Sequence, residues 1–344
     1  MSKRILLALS HSIEEHDQLR LLHDLGYEVA SIGGYIDPAH PHDPKRPPLP
    51  DIPMVPVVKQ TVDALGTEDN LGSAQKRIPG PILEWLGDDG IIIFHHFLER
   101  LFGQWAELAP WRRRGGRIIW RSVGQSNHIL ENTAAYYRRD GLERVAYSPK
   151  EAALPFYSGH DAVIRFYKDP DEWTGWRGDE PFVLNITQGL FQRGSACNPE
   201  WFVRAVEGTR SMAAGEGSEE VGGPGIVPIE TMHQLLRSAR AYIYTGTQPA
   251  SYTLGFIEAA MTGTPVVSIG PKAWGTFFPY SPALFEAHEM SWAWSDDPAE
   301  ARKVLNELLG DHDKARVASE FQRGRALELF SKDVVGAAWK AYLG

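Results

Sequence analysis

The sequence has one cysteine, no secretion signal and no long apolar run. Cys197 alone excludes an intramolecular disulfide, which is typical of a reducing compartment. Lys3 and Arg4 are followed only by the short apolar stretch ILLAL, unlike a signal peptide. No apolar run approaches the roughly 20 residues that a membrane-spanning helix needs. We therefore expect a cytoplasmic protein without a transmembrane segment.

The sequence also lacks an excess of positive charge. A formal net charge of −9 argues against a general electrostatic attraction to nucleic acid or to an anionic membrane. The basic cluster WRRRGGR at residues 111–117 is interpreted first as a solvated turn, and alternatively as a contact for an anionic acceptor or lipid head group. The length of 344 residues, with 43% hydrophobic and 23% charged residues, fits two ordinary globular domains.

No convincing metal motif is present either. No D-x-D pair lies in a strand-end setting, and we predict no metal and no cofactor. The proline-rich residues 37–56 are interpreted as a long ordered loop on the acceptor side. His40 and His42 in that stretch keep a metal site open as the weaker alternative.

Apolar strands alternate with amphipathic helices along the chain, which predicts an α/β fold. Residues 208–225 show only a weak strand. We expect a first domain at 1–170, a hinge at 168–180, a second domain at 181–330, and a helix at 331–344 packing back on the first. Strands are predicted at 4–10, 27–32, 91–94, 117–122, 144–148, 162–167, 182–187, 241–244 and 265–269, and helices at 13–25, 98–108, 129–139, 229–239 and 299–309.

Residues 249–270, PASYTLGFIEAAMTGTPVVSIG, predict a loop, a short apolar helix and a buried strand. Ser251 or Thr253 is expected to cap the helix. Glu258 is the one carboxylate in it, and a buried carboxylate is costly unless hydrogen-bond donors meet it. Ser251 and Leu254 share its helical stripe, so Glu258 is expected to face toward the anion-favouring helix N-terminus. A phosphate with sugar hydroxyls would satisfy it, and so would a neighbouring arginine.

This stretch resembles the C-terminal signature of retaining GT-B glycosyltransferases of the family-4 (group 1) type, roughly E-(G/P)-F-G-L-x-x-x-E-A-x-x-x-G-x-P-V-(I/V). The matching positions are Tyr252, Leu254, Glu258, Gly263, Pro265, Val266 and Val267. The resemblance implies an α/β fold of two Rossmann-like domains facing a cleft. It implies that Glu258 holds the ribose of the donor nucleotide. Ala250 stands where the family has a first Glu that contacts the donor sugar.

Residues 187–194, TQGLFQRG, are similar to the family loop G-R-L-x-x-x-K-G, whose two cations hold the donor diphosphate. Arg193 keeps the second cation, whereas Gln188 replaces the first. The loop lies between a strand and a helix starting at Asn198-Pro199, which favours a phosphate contact over a surface turn. The donor-binding residues implied are Gln188, Gly189, Arg193, Ile226, Val227, Ser251, Tyr252, Thr253, Leu254 and Glu258.

Polar residues at strand ends of the first domain are candidates for the acceptor side, because ligands bind beyond the carboxyl ends of strands in open α/β sheets. These residues are Ser10, His11, His95, Arg121, Gln125 and His128. The family often has a histidine at such a strand end that reaches the donor. The resemblance therefore assigns a catalytic role to His96 together with Arg193 and Glu258, with a structural histidine as the alternative.

The resemblance implies a metal-independent transfer of a sugar from a nucleotide-sugar, UDP-linked or alternatively GDP-linked, with retention at the anomeric carbon. The acceptor is a small molecule, a lipid-linked sugar or modified DNA. One alternative is a phage-type enzyme that glycosylates hydroxymethylated bases in DNA, for which residues 112–117 and Arg138-Arg139 supply positive charge. Another is a nucleotide-sugar-binding protein that no longer transfers, because Ala250 and Gln188 replace family residues.

Overall fold

The structure, a computed structural model, describes residues 3–8, 12–31, 46, 49, 51–65, 78–95, 103–124, 126–154, 156–248, 250–273 and 293–344. The chain divides into two compact units. Unit 1 consists of Met1–Tyr167 and Gly336–Gly344, and unit 2 consists of Lys168–Val335. Each unit contains a parallel sheet with helices, which confirms the predicted α/β fold class.

Unit 1 is organised around a parallel sheet with the strand order β2-β1-β3-β4-β5-β6. Its central strands read ILL, III and IIW and are buried, as expected for a parallel sheet covered on both faces. The strands are β1 (Arg4–Ala8), β2 (Glu28–Ser31), β3 (Ile91–Phe94), β4 (Arg117–Arg121), β5 (Leu142–Ala146) and β6 (Ala162–Val163). The helices are α1 (Ser12–Asp24), α2 (Pro56–Leu65), α3 (Gly80–Leu86), α4 (Trp105–Arg114) and α5 (His128–Arg138).

Unit 2 has a second parallel sheet, with the strand order β11-β10-β9-β7-β8. Its strands are β7 (Glu180–Ile186), β8 (Ser211–Ala214), β9 (Ala239–Tyr244), β10 (Val266–Ile269) and β11 (Trp294–Ser295). Its helices are α6 (Pro199–Ala205), α7 (Ile229–Ser238), α8 (Leu254–Thr262), α9 (Pro298–Gly310) and α10 (His312–Phe330). The last helix, α11 (Lys332–Leu343), begins in unit 2 and ends in unit 1.

Three predicted elements differ from the structure. The strand at 162–167 shortens to β6, because β6 pairs only with Val145 and Ala146 at the edge of the sheet. The weak strand within 208–225 is a regular one, β8, whose four residues pair with β7. Within the helix predicted at 98–108, a turn at Gln104 precedes α4, which begins at Trp105 and continues to Arg114. The predictions for Ser10, His11, His96 and Gln125, and for residues 37–45, concern residues outside those that the structure describes.

None of the helices formed by the described residues combines the length and apolarity needed to cross a bilayer. Those same residues contain no cluster of three or more His, Cys, Asp or Glu side chains suited to a metal ion.

Candidate functional site

The loops that follow β7, β8 and β9 are joined at the carboxyl edge of the sheet in unit 2. The backbone N–H of Gly189 donates to the carbonyl of Glu216 at 3.0 Å, which links the first two loops. The N–H of Gln248 donates to the carbonyl of Ala196 at 2.7 Å, which links the first loop to the third. Because ligands bind at this edge in open α/β sheets, the joined loops form the candidate site.

The loop after β7 contributes a positively charged side chain, Arg193, to the candidate site. Arg193 is exposed, and its side chain forms no ion pair within the described part of the chain. The aliphatic part of Arg193 lies over Gly189, where a Cβ atom would come within 3.0 Å of Cγ and Cδ. Gly189 has φ +66°, a conformation that favours glycine. Together, the missing side chain and the left-handed backbone let the arginine fold over the turn.

Gln188 links the loop after β7 to the loop after β8. Its Oε1 accepts a hydrogen bond of 3.0 Å from the backbone N–H of Glu216. The position that holds an arginine in the resembled family therefore holds a neutral side chain that fixes the loop after β8. Arg193 is the cation of the turn 187–194.

The loop after β8 ends in a small apolar surface. Gly225 is held on both sides, since its N–H donates to Ser218 Oγ at 2.9 Å and its carbonyl accepts from Gly215 at 2.8 Å. Ile226, which follows, is 44% exposed, and Val227 is half-buried. An exposed isoleucine on a fixed turn offers a flat apolar contact of the kind that nucleobases use.

Helix α8 begins at this same edge, and its N-cap is Thr253, whose side chain makes no capping hydrogen bond. Ser251 lies before the helix, so its predicted place on the helical stripe of Glu258 is wrong. A Cβ on Gly255 would lie 3.2 Å from the carbonyl of Ile186 and 3.3 Å from Tyr242 Oη. The first turn of α8 therefore packs closely on the end of β7. The N–H groups of a helix's first turn have no intrahelical acceptor and favour an anion.

Tyr252 and Leu254, which match the resembled signature, are both buried. The ring of Tyr252 makes an edge contact with Phe330, with 5.4 Å between centroids. Tyr252 therefore packs the segment before α8 against α10 of the same unit. Any contact with a ligand at Tyr252 stays a prediction.

Glu258 is buried one turn into α8 and accepts a hydrogen bond from Lys168 Nζ at 2.6 Å. The sequence left two partners open for this carboxylate, ligand hydroxyls or a neighbouring arginine. The structure shows an ion pair, made with a lysine 90 positions away in the chain. Glu258 also raises the pKa of Tyr242, although the burial of the phenol raises it more. The two side chains thus lie near each other beneath the first turn of α8.

Sequence reasoning missed Lys168 as a member of this region. It was assigned to the hinge at 168–180, whereas it is the first residue of unit 2 and is fully buried. Its N–H donates to the carbonyl of Phe330 at 3.0 Å. No local pattern connects Lys168 to Glu258, so only the fold could reveal the pair.

In unit 1, Arg121 has structural partners and is not available as the predicted acceptor contact. It is 1% exposed, and its guanidinium donates to the carbonyl of Arg165 at 3.0 Å and to that of Ile164. Its Nε lies 3.5 Å from Glu14 Oε1, and its Cζ lies 5.7 Å from the ring centroid of Trp339. We therefore leave Arg121 out of the proposed site.

The two described histidines among the acceptor candidates lie in different environments. His95 directly follows β3 and is buried. His128 is the first residue of α5, is exposed, and has its ring 6.2 Å from that of Phe156. The acceptor-side roles of His95 and His128 both remain predictions.

The basic residues near 111–117 are largely neutralised. Four ion pairs link them and their neighbours to acids: Arg112 with Asp140, Arg114 with Asp88, Arg117 with Glu143, and Arg138 with Asp161. Arg113 and Arg139 are exposed and form no ion pair with any described residue. The cluster therefore presents far less positive charge than its sequence indicates.

Comparison with known proteins places the fold. A glycosyltransferase from Rickettsia africae ESF-5 matches with a TM-score of 0.65 and 11% identity, over 99% of this chain and 98% of that one. Anabaena HepE (Alr3699), solved with UDP and glucose, matches with a TM-score of 0.63 and 10% identity, over 100% and 99%. The fold is that of the GT-B glycosyltransferases.

An α-glucosyltransferase solved with UDP-glucose and DNA containing an abasic site also shares the fold. Its TM-score is 0.58 with 12% identity, and all of both chains is covered. No protein-family model matches this chain. No curated protein sequence matches it either. Identities this low establish the fold, and the chemistry has to be argued from the site.

Proposed function

We propose that this protein is a cytoplasmic glycosyltransferase that moves a sugar from a UDP-sugar to an acceptor, with retention of the anomeric configuration and without a metal ion. The observation that carries the proposal is the carboxyl edge of unit 2, where Arg193, Ile226 and the start of α8 come from three loops joined by backbone hydrogen bonds. HepE, solved with UDP, shares this fold.

The diphosphate of the donor is assigned to Arg193 and the first turn of α8. A guanidinium suits phosphate oxygens because it donates two parallel hydrogen bonds. Helix N–H groups add further donors where the leaving diphosphate gains negative charge. The bond from the sugar's C1 to the phosphate oxygen breaks, a bond from C1 to the acceptor oxygen forms, and the acceptor's proton ends on the diphosphate. His96, by resemblance, is proposed to reach the donor sugar or its phosphate.

The nucleoside is assigned to Ile226, Val227 and Glu258. Ile226 supplies apolar contact for the base on its exposed side chain. Glu258 accepts hydrogen bonds from the ribose hydroxyls, as the resemblance implies for this position. A carboxylate has about four lone-pair sites, so its bond to Lys168 leaves it able to accept others. Ala250 has no polar side chain, so the donor sugar is held by other groups.

A screen of nucleotide-sugars tests the donor assignment. We expect UDP-glucose or another UDP-sugar to raise the melting temperature more than GDP-, ADP- or dTDP-sugars, because a ligand that binds only the folded state stabilises it. Release of UDP by the purified protein then separates an enzyme from a protein that only binds the donor. No shift with any of these donors would contradict the proposal.

Metal independence is tested in excess chelator. Arg193 and the helix N–H groups carry the role that a divalent ion has in other transferases, so UDP release is expected to continue unchanged. A complete loss that Mn²⁺ or Mg²⁺ restores would overturn this part of the mechanism.

An enzyme that acts on DNA is the second candidate, because a DNA-bound α-glucosyltransferase shares the fold. The ion pairs around residues 112–117 weigh against it, since among the described residues there they leave Arg113 and Arg139 as the exposed cations without an ion pair. Transfer to hydroxymethylated DNA that falls steeply with salt would favour this candidate over a small or lipid-linked acceptor.

A further inference from the structure

Lys168 and Glu258 form an ion pair in an unusual place. The Lys168 side chain is fully buried and Glu258 is 3% exposed, so both charges lie away from water. Removing two charges from water costs free energy that their mutual attraction offsets only with good geometry. A pair at 2.6 Å satisfies that condition, and it fixes the carboxylate in one orientation.

The surroundings of Lys168 hold its ammonium group in place. Its backbone N–H donates to the carbonyl of Phe330 at 3.0 Å. Its Nζ lies 5.3 Å from the ring centroid of Trp173, which is itself fully buried. The Trp173 ring makes an edge contact with His233 at 4.6 Å between centroids. Lys168 is therefore fixed by residues outside α8, the helix that carries the Glu258 carboxylate.

We infer that Lys168 is a positioning residue for the donor nucleotide: its ammonium orients the Glu258 carboxylate so that the carboxylate accepts hydrogen bonds from the ribose hydroxyls. This inference rests on the proposed function. Without the ammonium, the carboxylate in an apolar helix loses its fixed direction and its charge balance. Lys168 is also the first residue of unit 2, directly after Tyr167 of unit 1.

The test compares UDP with 2′,3′-dideoxy-UDP, which lacks the ribose hydroxyls, by calorimetric titration. The wild type is expected to prefer UDP by at least about tenfold, the usual size of hydrogen bonds to a charged group. Lys168→Met is expected to bring that ratio close to one. In a Glu258→Gln background the same substitution should change the ratio no further, because Lys168 acts through Glu258.

Lys314→Met is the matched control. Lys314 also pairs with a glutamate in unit 2, Glu307, but that pair is exposed on α9 and α10. Its loss should leave the UDP preference unchanged. A Lys168→Met protein that is less stable but keeps the wild-type ratio would overturn the inference and make the pair purely structural.

A measurement on the wild type covers the case in which Lys168→Met does not fold. UDP should slow amide exchange in residues 168–173 more than dideoxy-UDP does, and equal protection would overturn the inference. The outcome also separates this inference from the proposed function. A wild type that binds neither nucleotide contradicts both the proposed function and the inference about Lys168. A wild type that binds both nucleotides equally retains the donor site but loses the proposed contact of Glu258 with the ribose, and the inference about Lys168 fails with that contact.

Discussion

The carboxyl edge of β4 and β5 in unit 1 and that of β7 to β9 in unit 2 are built in opposite ways. In unit 1, buried Arg144 donates to Glu131 at 2.7 Å and to Glu151 at 2.8 Å. Those carboxylates also accept from the hydroxyls of Ser122 and Ser126 and from the backbone N–H groups of Ser158 and Tyr147. In unit 2, the corresponding edge carries glycine turns, exposed Arg193 and exposed Ile226.

The difference shows that buried charge alone does not identify a ligand site. The Arg144 network directs its donors and acceptors at one another, and Arg144 also lies over the rings of Trp120 and Tyr157. Such a network closes and rigidifies its edge. Arg193 has its charge in solvent, in a loop that a backbone hydrogen bond joins to the loop leading into α8. The two edges therefore differ in whether their arginine is exposed to solvent and in which groups surround it.

The largest effect on stability is expected from breaking the network of Arg144, Glu131 and Glu151 in unit 1, which we call the closed edge. Arg144→Met leaves two buried carboxylates without their cation, which should cost about 3–5 kcal/mol of the free energy of unfolding. Urea unfolding measures it. Arg138→Met is the control, because its partner Asp161 is partly exposed, and it should cost at most about 1 kcal/mol. Similar losses in both variants would mean that the network does not stabilise unit 1.

The closed edge should also respond to acid. Burial raises the pKa of Glu131, but the charge and hydrogen bonds of Arg144, with those of Ser126 and Ser158, outweigh burial and lower the pKa below its usual value of 4.5. A lowered folded-state pKa gives stability that is present above pH 4.5 and is lost as the pH falls through the folded pKa.

Glu131→Gln should therefore flatten the dependence of unfolding free energy on pH below 4.5, by up to about 1.4 kcal/mol per pH unit. Urea titrations at several pH values between 5 and 3 measure the slope. A variant with the wild-type slope would place the acid-sensitive group elsewhere.

A smaller effect, on ligand affinity, is expected at the carboxyl edge of unit 2 that carries Arg193 and Ile226, which we call the open edge. Its apolar part is Ile226. Ile226→Ser should weaken uridine binding by about 1 kcal/mol, since only part of the exposed side chain is covered by a base. Val317→Ser on α10 is the control, because Val317 is 60% exposed and far along the chain from the candidate loops. Fluorescence or calorimetric titration with uridine gives both values. An equal affinity in the two variants would remove Ile226 from the site.

Much of the fold was predictable because it depends on local pattern. The apolar runs of β1, β3 and β10 and the turn after α8 at Gly263 each carry their own signal. β8 was only a weak signal because its sequence is SMAA, and pairing with β7 supplies what composition does not. Edge strand β6 was overestimated, since the mostly apolar residues after Val163 do not extend its pairing with β5 beyond Ala146.

The candidate site was predictable in its sequence-local parts and unpredictable in its long-range pairs. The turn 187–194 and helix α8 appear as short motifs. Lys168 pairs with Glu258 across 90 positions, and Arg121 meets Ile164 and Arg165 across more than 40, which no short pattern encodes. The charge of residues 112–117 was similarly misleading, because the acids that neutralise it come from other segments.

The most direct test of the open edge is the affinity of UDP and of uridine for Arg193→Ala, measured by calorimetric titration. Arg210→Ala is the matched control, because Arg210 is an exposed arginine paired with Glu180 at the opposite, amino end of the same sheet. We predict that Arg193→Ala weakens UDP binding by about 1.5–3 kcal/mol and leaves uridine binding nearly unchanged, because the contact is to the diphosphate. Arg210→Ala should change neither affinity. Equal UDP affinities for wild type and Arg193→Ala would contradict the assignment of the diphosphate to this edge.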